Sequence, residues 1–214
     1  MKSKFADIRN DYNRHALTRD HLKPLPLLQL RKWLDEALET GQAEPTAMSL
    51  ASVDVTGQPS QRVVLMKGIT DRGITFFTNY LSRKGAHFQE NPKASAVFFW
   101  PSLERQVRLE GLVEKLPAHE SDEYFNNRPR DSQIGAWASP QSERVTSREM
   151  LENLFEELTL KFENKKVTRP PHWGGYLLVP HRVEFWQGRP HRMHDRFEYS
   201  LNSNNVWDIS RLAP

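Results

Sequence analysis

The chain has no cysteine, which removes disulfides, thiolate nucleophiles and cysteine metal sites at once. No apolar run approaches the length that spans a bilayer. The N-terminal stretch MKSKFADIRNDYNRHALTRD alternates charge where a leader would carry an apolar core. The expectation is a soluble, cytoplasmic protein with no membrane partner. Excess charge is also scarce, since 30 Lys and Arg against 27 Asp and Glu leave only +3, at a pI of about 9.2. Charges so mixed do not build the one-sided cationic surface that binds nucleic acid. The Walker loop, GxGxxG, HExxH and GxSxG motifs are all missing. His191 and His194 make only a weak metal-ligand pair, so no metal is expected.

What is present is aromatic. Six Trp and eleven Phe in 214 residues, at a mean hydropathy of −0.71, argue for a packed interior or a large interface. The length suits one domain with elaborations. Residues 1–24 are polar and without period, and read as an arm able to order over a ligand; 25–214 read as the domain proper. PLPLLQLRKWLDEALETGQ has helical apolar spacing. TAMSLASVDVTGQPSQRVVLMKGITDRGITFFTNY reads as a meander of three β-rich runs, broken at TGQP and TDRG. SRKGAHFQENP predicts a short helix, and KASAVFFWPS and ERQVRLEGLVEKLP two more strands. AHESDEYFNNRP and DSQIGAWAS predict helices around a proline break, and SREMLENLFEELTLKFENKK a longer one. WGGYLLVP, RVEFWQG, HRMHDRFEYS and VWDISRLAP return to strands. The fold class is mainly β with helices, an antiparallel barrel.

Four stretches carry candidate chemistry. In HRMHDR, read as an extended hairpin partner, Arg192, His194 and Arg196 would share one face and suit an anionic ligand; an edge strand carrying protective charge explains the same residues. Arg83 and Lys84 open a helix with charge of the wrong sign for its dipole, which a bound phosphate would resolve; a solvated basic turn is the plainer account. Arg62 and Lys67, five apart, fall on opposite faces of a regular strand. They meet one ligand only at a bulge, a strand end or between layers. Tyr124 and Arg128 share a helix face, and Asp131 or Ser132 is placed to cap the next helix. Together they make a second phosphate site, or ordinary packing and capping.

RVVLMK, FFTNYLSRK, ERQVRLEG, YFNNRPRDSQIGAWAS, QS, VEFWQG and HRMHDR, closing on ISRLAP, together resemble the pyridoxamine 5'-phosphate oxidase family from about Arg9 to Pro214. The resemblance implies an FMN-binding split β-barrel that works as a homodimer with flavin at the interface. It implies oxidation of pyridoxine 5'-phosphate or pyridoxamine 5'-phosphate to pyridoxal 5'-phosphate, within vitamin B6 biosynthesis and salvage. O2 would be the acceptor, giving H2O2, with ammonia from the amine. Arg62, Arg83 and Lys84 would hold the FMN phosphate. Val63, Val64, Leu65, Met66, Lys67, Phe77, Thr78, Gln106, Gln141, Ser142, Trp186 and Arg196 would complete the flavin site. Lys67, Tyr124, Arg128 and Ser132 would grip the substrate phosphate, and Arg192 and His194 would orient the substrate ring as the catalytic pair. Arg9 and Tyr12 would belong to the closing arm. Phe77 stands where the family often has a tyrosine, so a hydroxyl contact there is lost. A non-catalytic flavin or pyridoxal-phosphate binder on the same barrel is the alternative.

Overall fold

The computed structural model describes residues 11–214. They divide into two compact units. The first holds the described part of Met1–Ser49 with Ala96–Glu110 and Pro180–Pro214, and the second holds Leu50–Ser95 with Gly111–Val179. Among the described residues the strands are β1 Ala47–Val53, β2 Pro59–Leu65, β3 Gly68–Ile69, β4 Ile74–Asn79, β5 Lys93–Trp100, β6 Arg105–Lys115, β7 Trp173–Gln187, β8 Asp195–Leu201 and β9 Trp207–Leu212. The helices are α1 Pro26–Glu39, α2 Arg83–Glu90, α3 Ala118–Asn126, α4 Arg130–Ala138 and α5 Arg148–Lys161. Hydrogen bonding orders the strands β2-β1-β5-β6-β7-β4-β3, with β8 paired to β7 and β9 to β8.

In the first unit, α1 buries Leu30, Trp33, Leu34 and Ala37, the stripe expected from their spacing. Pro26 opens the helix, where a missing N–H costs nothing. Trp33 meets Phe185 edge-on at 5.1 Å, and the Arg105 guanidinium lies 4.5 Å over the Trp33 ring. Burying an aromatic such as Phe185 stabilises by roughly 1.5–3 kcal/mol. The second half of β7 pairs antiparallel with β8, opposing Val183 to Tyr199, and β8 pairs antiparallel with β9.

The second unit positions the pocket described below. The predicted turn after β1 forms because Asp54 Oδ1 accepts from the Thr56 and Gln58 backbone N–H groups, both at 2.9 Å, while Gly57 takes φ 89°. The TDRG turn closes when Thr70 N donates to Gly73 O at 2.8 Å. A Cβ at Gly73 would fall 2.1 Å from Leu178 O, so only glycine lets this turn approach β7. Strand β4 pairs antiparallel with the first half of β7, from Ile74 opposite Leu178 to Asn79 opposite Trp173. Phe125, Ile134, Leu158, Val167 and Trp173 form a core cluster joining α3, α4 and α5 to this end of β7.

Several expectations are corrected. WGGYLLVP and RVEFWQG form one strand, because the buried Pro180 does not interrupt β7's extended path; only His181 and Arg182 after it are exposed. HRMHDRFEYS is a strand only from Asp195. Residues 190–192 form a 3-10 turn with His191 and Arg192 at φ 58° and 61°, so Arg192, His194 and Arg196 do not share a strand face. Met193 N donates to Pro190 O at 3.1 Å, a turn bond in place of a ladder bond. Helix α4 begins at Arg130 with Pro129 at its cap position, so Asp131 and Ser132 lie inside the first turn and do not cap it. No helix among the described residues is long and apolar enough to cross a membrane.

Candidate functional site

The second unit contains a cavity of about 1140 Å³. Its walls carry Arg62, Lys67, Arg83, Lys84 and Arg128, and no aspartate or glutamate. Strand β2 ends at Leu65, which answers the spacing problem of Arg62 and Lys67: past the strand end alternation no longer applies, and both residues line the cavity. Val63, Val64 and Leu65 line it too, while the Met66 side chain is buried outside the lining.

One set of cations gathers where α2 begins. Ser82 caps that helix, its side chain accepting from Gly85 N at 3.4 Å. Lys84 is buried, and its Nζ donates to Thr78 Oγ1 at 2.8 Å, Gln141 Oε1 at 3.1 Å and Ser82 Oγ at 3.2 Å. Burial first, and the Arg62 charge second, pull its pKa from 10.5 to about 8. Burial and the neighbouring Arg83 likewise lower Arg62. Lys84 and Arg62 thus repel each other at the buried side of this group, while Arg83 is exposed. Thr78 Oγ1 also donates to Gln141 Oε1 at 3.0 Å, and Ser142 beside it holds φ 77°.

A second set surrounds the N-terminus of α4. Tyr124 stacks on Phe77 at 3.7 Å with planes 8° apart, and Trp173 lies near-parallel to Phe77 at 5.6 Å. Arg128 lies past the end of α3, its guanidinium 4.5 Å over the Trp173 ring. Burial lowers the Arg128 pKa, and Nη1 is buried without a hydrogen-bond partner. Burial raises the Tyr124 pKa, with Arg128 opposing it. Ser132 completes the group on the cavity wall. Trp173 and Asn127 also line the cavity and were missed from the sequence. Trp173, opening β7 in HWGG, is the one an aromatic-at-a-strand-start signal could have found.

The remaining expected residues lie in the first unit. Tyr12 packs edge-on against Trp186 at 5.6 Å and His194 at 5.8 Å, and Trp186 and His194 are 4.7 Å apart. His194 Nδ1 accepts from Arg189 N at 3.1 Å. Burial and then Arg192 lower the His194 pKa, favouring a neutral ring whose Nε2–H is a donor. Arg192 is exposed, and Gln106 is half-buried on β6. Arg196 is engaged: Nε and Nη2 each reach the Glu184 carboxylate at 3.0 Å, and Nη1 donates to Ala213 O at 2.7 Å. Arg9 lies outside the described residues.

A family model described as pyridoxamine 5'-phosphate oxidase matches residues 34–162. The chain belongs to the pyridoxamine 5'-phosphate oxidase family. A second model, described as the pyridoxine 5'-phosphate oxidase C-terminal dimerisation region, matches 173–214, and the homodimer expectation finds its support there. The chain is 51% identical over 214 residues to a pyridoxine/pyridoxamine 5'-phosphate oxidase of Salinibacter ruber, covering 99% of this chain and 100% of that one. It is 52% identical over 212 residues to one of Cupriavidus taiwanensis, with the same coverage. Among solved structures it is similar to PhzG from Burkholderia lata, in complex with tetrahydrophenazine-1-carboxylic acid, at TM-score 0.88 and 32% identity over 93% of this chain and 98% of that one. An FMN-binding, pyridoxamine 5'-phosphate oxidase-related protein from Nostoc punctiforme shares the fold alone, at TM-score 0.69 and 18% identity over 90% of this chain and 100% of that one. The mainly β, helix-bearing architecture expected from the sequence is thus the split barrel of the pyridoxamine 5'-phosphate oxidase family.

Proposed function

We propose that this chain is an FMN-dependent oxidase that converts pyridoxine 5'-phosphate or pyridoxamine 5'-phosphate to pyridoxal 5'-phosphate. The observation that carries the reading is the cavity with five cationic side chains and no carboxylate on its walls. With Lys84 buried and Arg62 and Arg128 half-buried, this cationic wall calls for anions, and two phosphorylated ligands would supply them. The residues fit a phosphorylated flavin. Lys84 is held well below its ordinary pKa until a dianion arrives, and Arg62 and Arg83 stand beside it. FMN, when bound, supplies the two-electron acceptor chemistry.

The protein's own residues hold and orient. Arg62, Arg83 and Lys84 grip the flavin phosphate, and Gln141 and Ser142 follow it along the cavity wall. Tyr124, Arg128 and Ser132, with Lys67, take the substrate phosphate. The unpartnered Nη1 of Arg128 is the donor that phosphate would satisfy. The family resemblance adds Gln106, Trp186 and Arg196 to the flavin, and Arg192 and His194 to the substrate ring. There a neutral His194 can donate from Nε2 without competing for protons. Most of the rate arises from fixing two ligands in a reactive pose. A homodimer with FMN at its interface and O2 as final acceptor belong to the same reading.

The test is anaerobic. Protein loaded with FMN should bleach on adding pyridoxine 5'-phosphate, and air should restore the colour with one H2O2 released per turnover. A protein that holds FMN tightly but never bleaches with either vitamer would be the non-catalytic binder instead.

A further inference from the structure

Ser52 on β1 and His87 on α2 are both buried, and neither lines the cavity. Ser52 Oγ lies 3.0 Å from His87 Nδ1 and accepts from Arg62 Nη1 at 2.9 Å. The same Nη1 donates to Leu50 O at 3.1 Å. A guanidinium can only donate, so the Ser52 oxygen must accept from it. Ser52 and His87 Nδ1 share a hydrogen bond whose direction follows the tautomer of the ring, and in either direction it fixes the Ser52 oxygen against Arg62. Arg62 Nη1, Ser52 Oγ and His87 Nδ1 thus each have a partner, as buried polar groups require. Among the described residues Arg62 makes these contacts and no ion pair.

The choice of partner matters. A carboxylate behind Arg62 would aim the guanidinium equally well but would neutralise it. A serine hydroxyl, itself held by a histidine nitrogen, aims it and leaves its charge whole. We propose that Ser52 and His87 are positioning residues that hold Arg62 toward the flavin phosphate without a carboxylate partner. Together they set the preference of this site for FMN over riboflavin. The inference rests on the reading of Arg62 as a phosphate ligand. Its reach extends over three elements: β1 supplies the hydroxyl, α2 the imidazole and β2 the cation.

The experiment measures dissociation constants of FMN and riboflavin, by flavin fluorescence, for wild type, Ser52→Ala, His87→Phe, His87→Asn and Arg62→Ala. Ser52→Ala removes one oxygen and keeps the strand, so it reports even if the larger change at His87 disturbs folding. In Ser52→Ala and His87→Phe the preference for FMN should fall by about tenfold, the scale of a disoriented charge-assisted hydrogen bond. Riboflavin affinity should not move. His87→Asn, whose side-chain amide can stand in for Nδ1 as donor or acceptor, should keep the wild-type preference; a merely structural role gives no reason for that rescue. An unchanged preference in Ser52→Ala and His87→Phe, beside a collapsed one in Arg62→Ala, overturns this inference alone. An unchanged preference in Arg62→Ala as well overturns the phosphate reading beneath it.

Discussion

Arginines and lysines occupy two very different settings in this molecule. In the cavity of the second unit Arg62, Lys67, Arg83, Lys84 and Arg128 face no carboxylate on the walls. On the first unit's strands, Arg108, Arg182 and Arg196 interleave with Glu110, Glu184 and Glu198. The proton affinities follow suit. Burial and a neighbouring cation drive Lys84 down to about 8, whereas hydrogen bonding to Glu184 raises Arg196. A cation whose charge the fold opposes, as at Lys84, is one that an arriving anion would relieve. A cation whose charge the fold already answers is part of the fabric. The same residue types thus do opposite jobs, and the counter-charge decides which.

The sharpest break in the comparison should come at Arg128. Arg128→Ala removes a half-buried guanidinium whose Nη1 has no protein partner, so the folded state loses little beyond its stacking on Trp173. If it awaits the substrate phosphate, kcat/KM for pyridoxine 5'-phosphate should fall by roughly 2–4 kcal/mol of transition-state stabilisation. FMN affinity should stay. Steady-state kinetics beside flavin titration read both, and a loss of FMN instead would place Arg128 with the first set of cations.

Lys84 comes next. Lys84→Met should weaken FMN by roughly 1.5–3 kcal/mol and leave riboflavin nearly unchanged. The pH dependence has a definite sign. Free protein holds Lys84 near 8, and a bound dianion lifts it back toward 10.5. Binding therefore takes up a proton above pH 8, and FMN affinity falls as pH rises through that range. Riboflavin affinity should not follow it. The stability of the free protein runs the other way. Its folded pKa is depressed, so the charged lysine disfavours folding below pH 8, and this cost is relieved as pH rises from 8 toward 10.5. Titrations from pH 7 to 10 with both flavins decide the matter. Parallel curves would remove Lys84 from the phosphate.

How much of this could be read from the chain depended on whether the deciding contact was local. Helices α2 and α5 were legible because Ser82 and Ser147 cap them within three residues. The wrong-sign start at Arg83 and Lys84 was legible for the same reason. HRMHDR was misread because nothing in it announces a left-handed backbone: His191 and Arg192 take positive φ without a glycine or asparagine. Ser52 could not be singled out at all. It is one small residue on a strand, and its partner His87 lies 35 residues away. The pairing of Arg196 with Glu184 was equally hidden, since it depends on the register of β7 against β8.

Arg196 is where the two settings overlap, and it makes the smallest and most telling test. The family resemblance gives it to flavin, yet its fork is closed on Glu184. Arg196→Ala should lower stability by about 1 kcal/mol, because a bidentate pair is lost and Arg108, 3.3 Å from the same carboxylate, remains to answer it. It should also raise the FMN dissociation constant, by less than Lys84→Met does, with activity partly recovered in excess FMN. Arg182→Ala is the control. Arg182 pairs with Glu110 and Glu198 from an exposed position, at 3.4 and 3.6 Å, and its loss should cost no more than about 0.5 kcal/mol and leave FMN binding alone. Thermal melts and flavin titrations on the two variants separate the roles. If Arg196→Ala loses stability and keeps FMN affinity, Arg196 belongs wholly to the ion-paired sheet, and the line between the two settings is clean. If FMN affinity falls with no loss of stability, the Glu184 pair is a resting position that the arginine leaves for the flavin.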